Sequence, residues 1–450
     1  MPKIKIAQSK SQFFTPHSGF ALVGLLINEH SGLRKRLASV PGSPHVSHED
    51  VLKSYMGLLG VGKSDFEAAD GVRGDDWFKA ALDINHVPSK ESLRQRFDRH
   101  AVLFALAVQA ASIEMLRAVK APITPISTGH VHTGHVHTGH VPLDIDVFPM
   151  DNSDTKKEGV SRTYKGVDGF APIAAYLGEE GWCVGLELRE GSQHSQKDFI
   201  QFLAKVVARA RRLTQRALLA RLDSAHCAIA TLVALRGHEK VSYIVKWNPR
   251  KANHIEWRDR VFAEGRVTEP RPGKKVAVTT VHETHEFKGK TYRFMRVVRV
   301  TERSIDKKGQ YLTIPDIELE GWWTSLVMPE EKVIELYEAH GTSEQFHSEI
   351  KSDLDMERLP SGKFATNALV LTCAGFAYNI LRFIGQMGLC GHNSPVRHPA
   401  KRRRIRTVIQ EIMTVAARLV RSARQLTLLF GRHCPAFEAF SQVHDALSPG

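Results

Sequence analysis

The chain has 450 residues, with 62 Lys and Arg against 48 Asp and Glu and a formal charge of +14, so two or three well-buried domains and a polyanionic partner are expected, nucleic acid ahead of a membrane surface. Five cysteines without any Cys-x-x-Cys read as free thiols of a reducing cytoplasm and argue against a disulfide framework. The opening Met-Pro-Lys-Ile-Lys-Ile lacks a signal-peptide apolar stretch, and the longest apolar run, residues 367–383, is broken by Thr372, Tyr378 and Asn379 and reads as a buried core helix, so no membrane partner is expected.

Residues 1–127 read as helical. Apolar positions recur at helical spacing through 20–27, 51–59 and 101–116, with turns at 41–42 and 60–62. Residues 77–84 form one expected helix, 85–88 a turn, and Ser89 the N-cap of a helix bearing Lys90, Arg94, Arg96 and Arg99. Such a helix-turn-helix would set Arg94 and its neighbours against DNA; a merely solvated basic face is the competing reading. Residues 128–141 carry a tandem Gly-His-Val-His-Thr repeat with His130, His132, His135, His137 and His140. The histidines suit a metal, but perfect repetition with Gly and Thr reads as a flexible linker.

At Val141 the period changes to two. Leu143, Ile145 and Val147 alternate with Asp144 and Asp146, which makes a strand with both carboxylates on one face. Strands follow at 170–177 and 182–188, then a helix opened by Ser195 and Asp198, a strand at 217–223, a helix at 224–236 and a strand at 241–246. That is a mixed α/β order over 142–250. Residues 251–326 read as β-rich, with strands at 276–281, 291–301 and 311–319 and a turn at 288–290. Helices return over 327–385. The tail, 386–450, reads as basic and helical: Ile405, Ile409, Ile412, Ala416 and Leu419 share one face, while Arg403, Arg418 and Arg421 lie opposite and Arg404 adds to the basic run.

Within 337–351, Tyr337, His340, Glu344 and Lys351 fall on one helical stripe. A phenol, an imidazole, a carboxylate and an ammonium on one face suit a phosphodiester and its metal, the bland alternative being a solvated helix. Tyr337, Glu344 and Lys351, with Leu359-Pro360, 363–369 and 377–381 beyond them, resemble the Tyr-x2-Arg-x3-Glu-x6-Lys signature of the D-D-E transposases of bacterial cut-and-paste insertion sequences. His340 stands where that family has Arg, which would make a phosphate contact pH-dependent.

The resemblance implies an α/β fold, a ribonuclease-H-like mixed-sheet core interrupted by the β-rich insertion, flanked by helical terminal regions. It implies Asp146, Asp223 and Glu344 as the catalytic acids holding Mg²⁺ or Mn²⁺, with Tyr337, His340 and Lys351, and more loosely Arg94, Arg403 and Arg404, on DNA. The family shows Asp-x-Thr on the first strand where this chain has Asp146-Val147-Phe148, and Asp144 on the same face stays open as the first acid. The implied activity is cleavage at the terminal inverted repeats and joining of the 3′ end to target DNA by a self-associating protein at the bacterial nucleoid. A repressor decayed from a transposase and a metal-dependent nuclease without strand transfer are the rivals. Trp322 and Trp323, near Trp247 and Trp257, are candidates for base stacking, with core packing as the ordinary alternative.

Overall fold

The computed structural model describes residues 3–42, 45–132, 135–137, 139–306, 308–423 and 425–448. The N-terminal region is helical. Its main elements are α1 (His48–Leu59), α2 (Asp76–Leu82) and α3 (Lys90–Ala118). Each begins at a side-chain cap: Ser47 accepts from Asp50 N, Asp75 from Trp77 N and Phe78 N, and Ser89 from Ser92 N. The two helices expected at 89 and at 101–116 are one, bent at His100 (φ −119°, ψ 16°).

Nine strands form the main sheet. In chain order these are β1 (Val141–Val147), β2 (Ile173–Leu177), β3 (Trp182–Glu187), β4 (Leu218–Leu222), β5 (Val241–Lys246), β6 (Arg266–Arg271), β7 (Lys274–Phe287), β8 (Lys290–Ile305) and β9 (Tyr311–Thr324). They are ordered β6-β7-β8-β9-β5-β4-β1-β2-β3. β1 and β5 flank β4 in parallel, whereas β2 runs antiparallel to β1 and β3. β9 pairs antiparallel with β5, so the β-rich stretch continues the first sheet. At the β7–β8 hairpin Lys288 and Gly289 both take positive φ (48° and 73°), as a two-residue turn demands.

Helix α4 (Phe199–Leu213) covers one face through Phe199, Phe202, Leu203, Val206 and Ala210. Its expected Ser195 start is displaced: Asp198, at φ 58°, precedes Phe199 without a side-chain cap. The helix expected from 224 is a 3₁₀ turn over Ser224–His226 followed by α5 (Ile229–Arg236). A further helix, α6 (His254–Glu264), packs on β7, β8 and β9 where only strands were expected.

Beyond the sheet come α7 (Glu330–Glu338), α8 (Thr342–Ser348) and the long α9 (Phe364–Leu389). α9 and α3 are long and apolar enough to span a membrane, but α9 is buried between α3 and β3. Its Asn379 shows why a polar residue is tolerated there. The side-chain oxygen accepts from Cys183 N, and the amide donates to Cys183 O and Ser112 Oγ, so every group is satisfied.

Two sequence expectations are corrected. The tail is not wholly helical: its helix, begun at Ile405, ends with the π turn Ile409–Met413, and β10 (Ala417–Ser422) pairs with Phe13–Thr15 and with β11 (Gln425–Phe430) before α10 (Phe437–Leu447). The repeat is not a free connector throughout. Residues 130–132 and 135–137 pair antiparallel, and His140 is buried with Nδ1 2.9 Å from Thr128 Oγ1 and Nε2 3.2 Å from Ser242 Oγ. The side chains of His130, His132, His135 and His137, on which the metal reading depended, lie outside the described residues. All five cysteines are free thiols.

Candidate active site

Asp144 and Asp146 leave the same face of β1 and meet opposite surroundings. Asp144 is 2% exposed and takes a bidentate bond from Arg221 of β4, Nε to Oδ1 at 2.6 Å and Nη2 to Oδ2 at 2.7 Å. The third guanidinium arm reaches Leu336 O at 2.8 Å, and His340 Nδ1 lies 3.2 Å from Asp144 Oδ1. Burial alone would raise this carboxyl; the Arg221 charge and His340 outweigh it and hold it at about 2.

Asp146 has no cationic partner of that kind. Burial first, then the charge of Asp223, with Glu344 adding, push its carboxyl up to about 7 against partial relief from His340 and the Val147 N–H. Asp223 follows β4 at the C-terminal edge of the parallel strands and accepts from His226 Nδ1 at 2.8 Å. Glu344 stands exposed in the first turn of α8. The fold therefore brings the three expected acids within electrostatic reach of one another and removes Asp144 into an internal ion pair.

A cleft of about 360 Å³ opens beside them, lined by Asp146, Tyr164, Lys165, Glu344, His347, Lys351 and Glu357 among others. His347 is buried, stacks on Phe148 at 4.3 Å, and is held neutral, its value lowered to about 3 chiefly by burial.

The stripe 337–351 is not one helix. A 3₁₀ turn at Ala339–Gly341 and a π turn at Glu349–Asp353 break it, and its four polar residues part company. His340, expected to face phosphate, is 7% exposed against Asp144. Tyr337 packs by Trp322 and beneath Lys246, its phenol raised by burial and by Asp223 and Asp146. Lys351 Nζ lies in the cleft but is engaged by Pro149 O at 2.9 Å and Glu357 Oε2 at 2.8 Å. The π turn is anchored from α9 by the buried Arg382–Glu349 pair, with Tyr378 OH at 2.8 Å from Arg382 Nη2.

The outlying basic residues are also engaged. Arg404 pairs with the buried Asp353 at 2.9 Å, and Arg403 donates to Leu389 O and Val396 O. Arg94 is exposed, 3.9 Å from Asp98. Trp322 and Trp323 are core residues, 1% and 4% exposed, with Lys246 over the first and Arg296 caged by Trp323, Trp247 and Trp257. They present no open stacking face. Sequence reasoning passed over Arg221, Tyr164 and Lys165; a lone Arg in the apolar run of β4 was the available sign of the first.

Three oxygen-donor acids with like-charge stress on one of them are the donor chemistry a hard divalent cation prefers. In the present side-chain arrangement, no three His, Cys, Asp or Glu groups among the described residues stand at ligating spacing.

The family model described as transposase DDE domain, group 1, matches residues 26–449. The chain belongs to this family of DDE transposases. No curated protein matches it. Among solved structures it is similar to the piggyBac transposase in a cryo-EM synaptic complex with hairpin DNA, at 11% identity over 90% of this chain and 83% of that one, with a TM-score of 0.37.

Proposed function

We propose that this transposase cuts the phosphodiester backbone at the ends of a bacterial insertion sequence and joins the freed 3′ end to target DNA, with Asp146, Asp223 and Glu344 as its acids. The supporting observation is the contrast on β1. Asp144 is neutralised by Arg221, whereas Asp146 faces other carboxylates beside a cleft and is pushed up to about 7. Unneutralised acids crowded at one strand edge are costly for an apo protein and useful to one that binds cations. We read β1 to β5, in the order 3-2-1-4-5 with β2 reversed, as a ribonuclease-H-like core.

Asp146, Asp223 and Glu344 would hold Mg²⁺ or Mn²⁺. The bound cation supplies charge neutralisation and polarisation of the phosphate. Arg221 does the chain's own preparatory work: by binding Asp144 and Leu336 O together it joins β1, β4 and the end of α7, and so sets where the acids project. His226 occupies one oxygen of Asp223 and leaves the other free. Double-stranded DNA is the substrate, two or more copies meet at paired ends, and the protein works in the cytoplasm at the nucleoid.

The test is nicking of a duplex carrying the terminal repeats that flank the reading frame. Wild type should nick with Mg²⁺, and Glu344→Gln should lose cleavage by roughly 1,000-fold or more, the equivalent of several kcal/mol of charge stabilisation, while still binding the duplex. Cleavage retained in Glu344→Gln would overturn that residue's role.

A further inference from the structure

Residues between β1 and β2 build a separate small sheet, from Met150–Asp151, Asp168–Phe170 and Ser161–Arg162. It is tied to the segment after the π turn: Asn152 Nδ2 donates to Glu357 O at 2.9 Å, and Asp151 N to Glu357 Oε1 at 2.7 Å. Its tip is a tight turn. Thr163 N and Oγ1 both donate to Val167 O at 2.8 Å, Gly166 N to Thr163 O at 3.0 Å, and Gly166 takes φ +78°. The turn therefore holds Tyr164 and Lys165 on a braced platform, and both line the cleft that also contains Asp146, Glu344 and Lys351.

The two side chains differ in what they do there. Tyr164 is exposed, and its hydroxyl donates to Val147 O at 3.3 Å, next to Asp146. Burial of that hydroxyl and the charges of Asp146, Asp223 and Glu344 push it up to about 12, so it stays protonated and keeps the bond. Lys165 is exposed and, among the described residues, forms no hydrogen bond or ion pair. Lys351, in the same cleft, already has Pro149 O and Glu357. An uncommitted ammonium facing an acid-lined cleft suits a phosphate entering between them.

We propose that the turn at Tyr164–Lys165 is a phosphate clamp for DNA, Lys165 making the contact and Tyr164 pinning the turn beside the carboxylates. The inference rests on the transposase reading above and adds a residue to it. Lys165 binds a backbone oxygen, without regard to base sequence.

The test is binding of a fluorescein-labelled mixed-sequence duplex across a salt series. Lys165→Ala should weaken binding about tenfold at low salt and flatten the log Kd against log salt slope by about one, and Lys165→Arg should restore both. Tyr164→Phe should weaken binding in the same direction by less. Lys240→Ala, an exposed cation at the opposite edge of β4 and β5, is the control and should match wild type. A Lys165→Ala protein with the wild-type slope, whether or not its affinity falls, would overturn the clamp. If wild type fails to nick with Mg²⁺ while Lys165→Ala still flattens the slope, the cleavage reading falls and the clamp stands. If wild type nicks and Lys165→Ala keeps the wild-type slope, the clamp alone falls.

Discussion

Asp144 and Asp146 are separated by one residue on one strand and live in two different electrostatic regions. In the inner region Asp144, Arg221 and His340 close on themselves, and the carboxylate is more acidic than in water. In the outer region Asp146 and Glu344 line a cleft with the charge of Asp223 close by, and the first of them is far less acidic than in water. The inner group serves stability, and the outer group carries a stability cost that a bound cation would relieve. Polar residues of one type on one strand face thus need not share a role.

The largest expected effect comes from breaking the inner group. Arg221→Met leaves Asp144 buried without its guanidinium, with only His340 beside it, and should cost about 3–5 kcal/mol, read as a lower urea midpoint at constant m. Pairing it with Asp144→Leu should recover most of that loss. The outer group predicts the opposite sign. Asp146→Asn removes a carboxylate whose folded value is raised to about 7, so it should stabilise the metal-free protein by roughly 2–4 kcal/mol near pH 8. That gain should shrink as pH falls from about 7 toward about 4 and vanish below about pH 3, where the wild-type acid is neutral in both states.

Acid titration sharpens the contrast further. The Asp144 value is depressed to about 2, so its contribution of about 2 kcal/mol is present above pH ~4 and lost between pH ~4 and ~2. Urea midpoints across that range should show this loss in wild type and not in Asp144→Asn. The smallest effect belongs to a residue outside both groups: Arg94→Ala breaks only an exposed 3.9 Å pair and should move stability by no more than about 0.5 kcal/mol.

Much of the first sheet was legible because its strands are short, apolar and bounded by turns; β5 lies at the expected residues and β4 within one residue at each end. α6 was not, because only Val261 of its eleven residues is buried and its apolar signal is slight. β10 was misread as helix because Ala416 and Leu419 continue the spacing of Ile405, Ile409 and Ile412. What makes it a strand is pairing on both edges, with β11 just beyond it and with Phe13–Thr15, four hundred residues earlier in the chain. The same kind of distance hid the first acid. Period two sets Asp144 and Asp146 on one face, and the discriminating partner, Arg221, lies 77 residues from Asp144. The kinks in 337–351 likewise come from tertiary anchors, Asp144 for His340 and Arg382 for Glu349, that local spacing does not encode.

The most direct test of the account is single-turnover nicking of the terminal-repeat duplex by Asp146→Asn and Asp144→Asn, at a temperature where both are folded and with Mg²⁺ present. The account predicts that Asp146→Asn binds the duplex and does not nick it, while Asp144→Asn nicks. Nicking by Asp146→Asn at the wild-type rate, with Asp144→Asn folded and inactive, would contradict it.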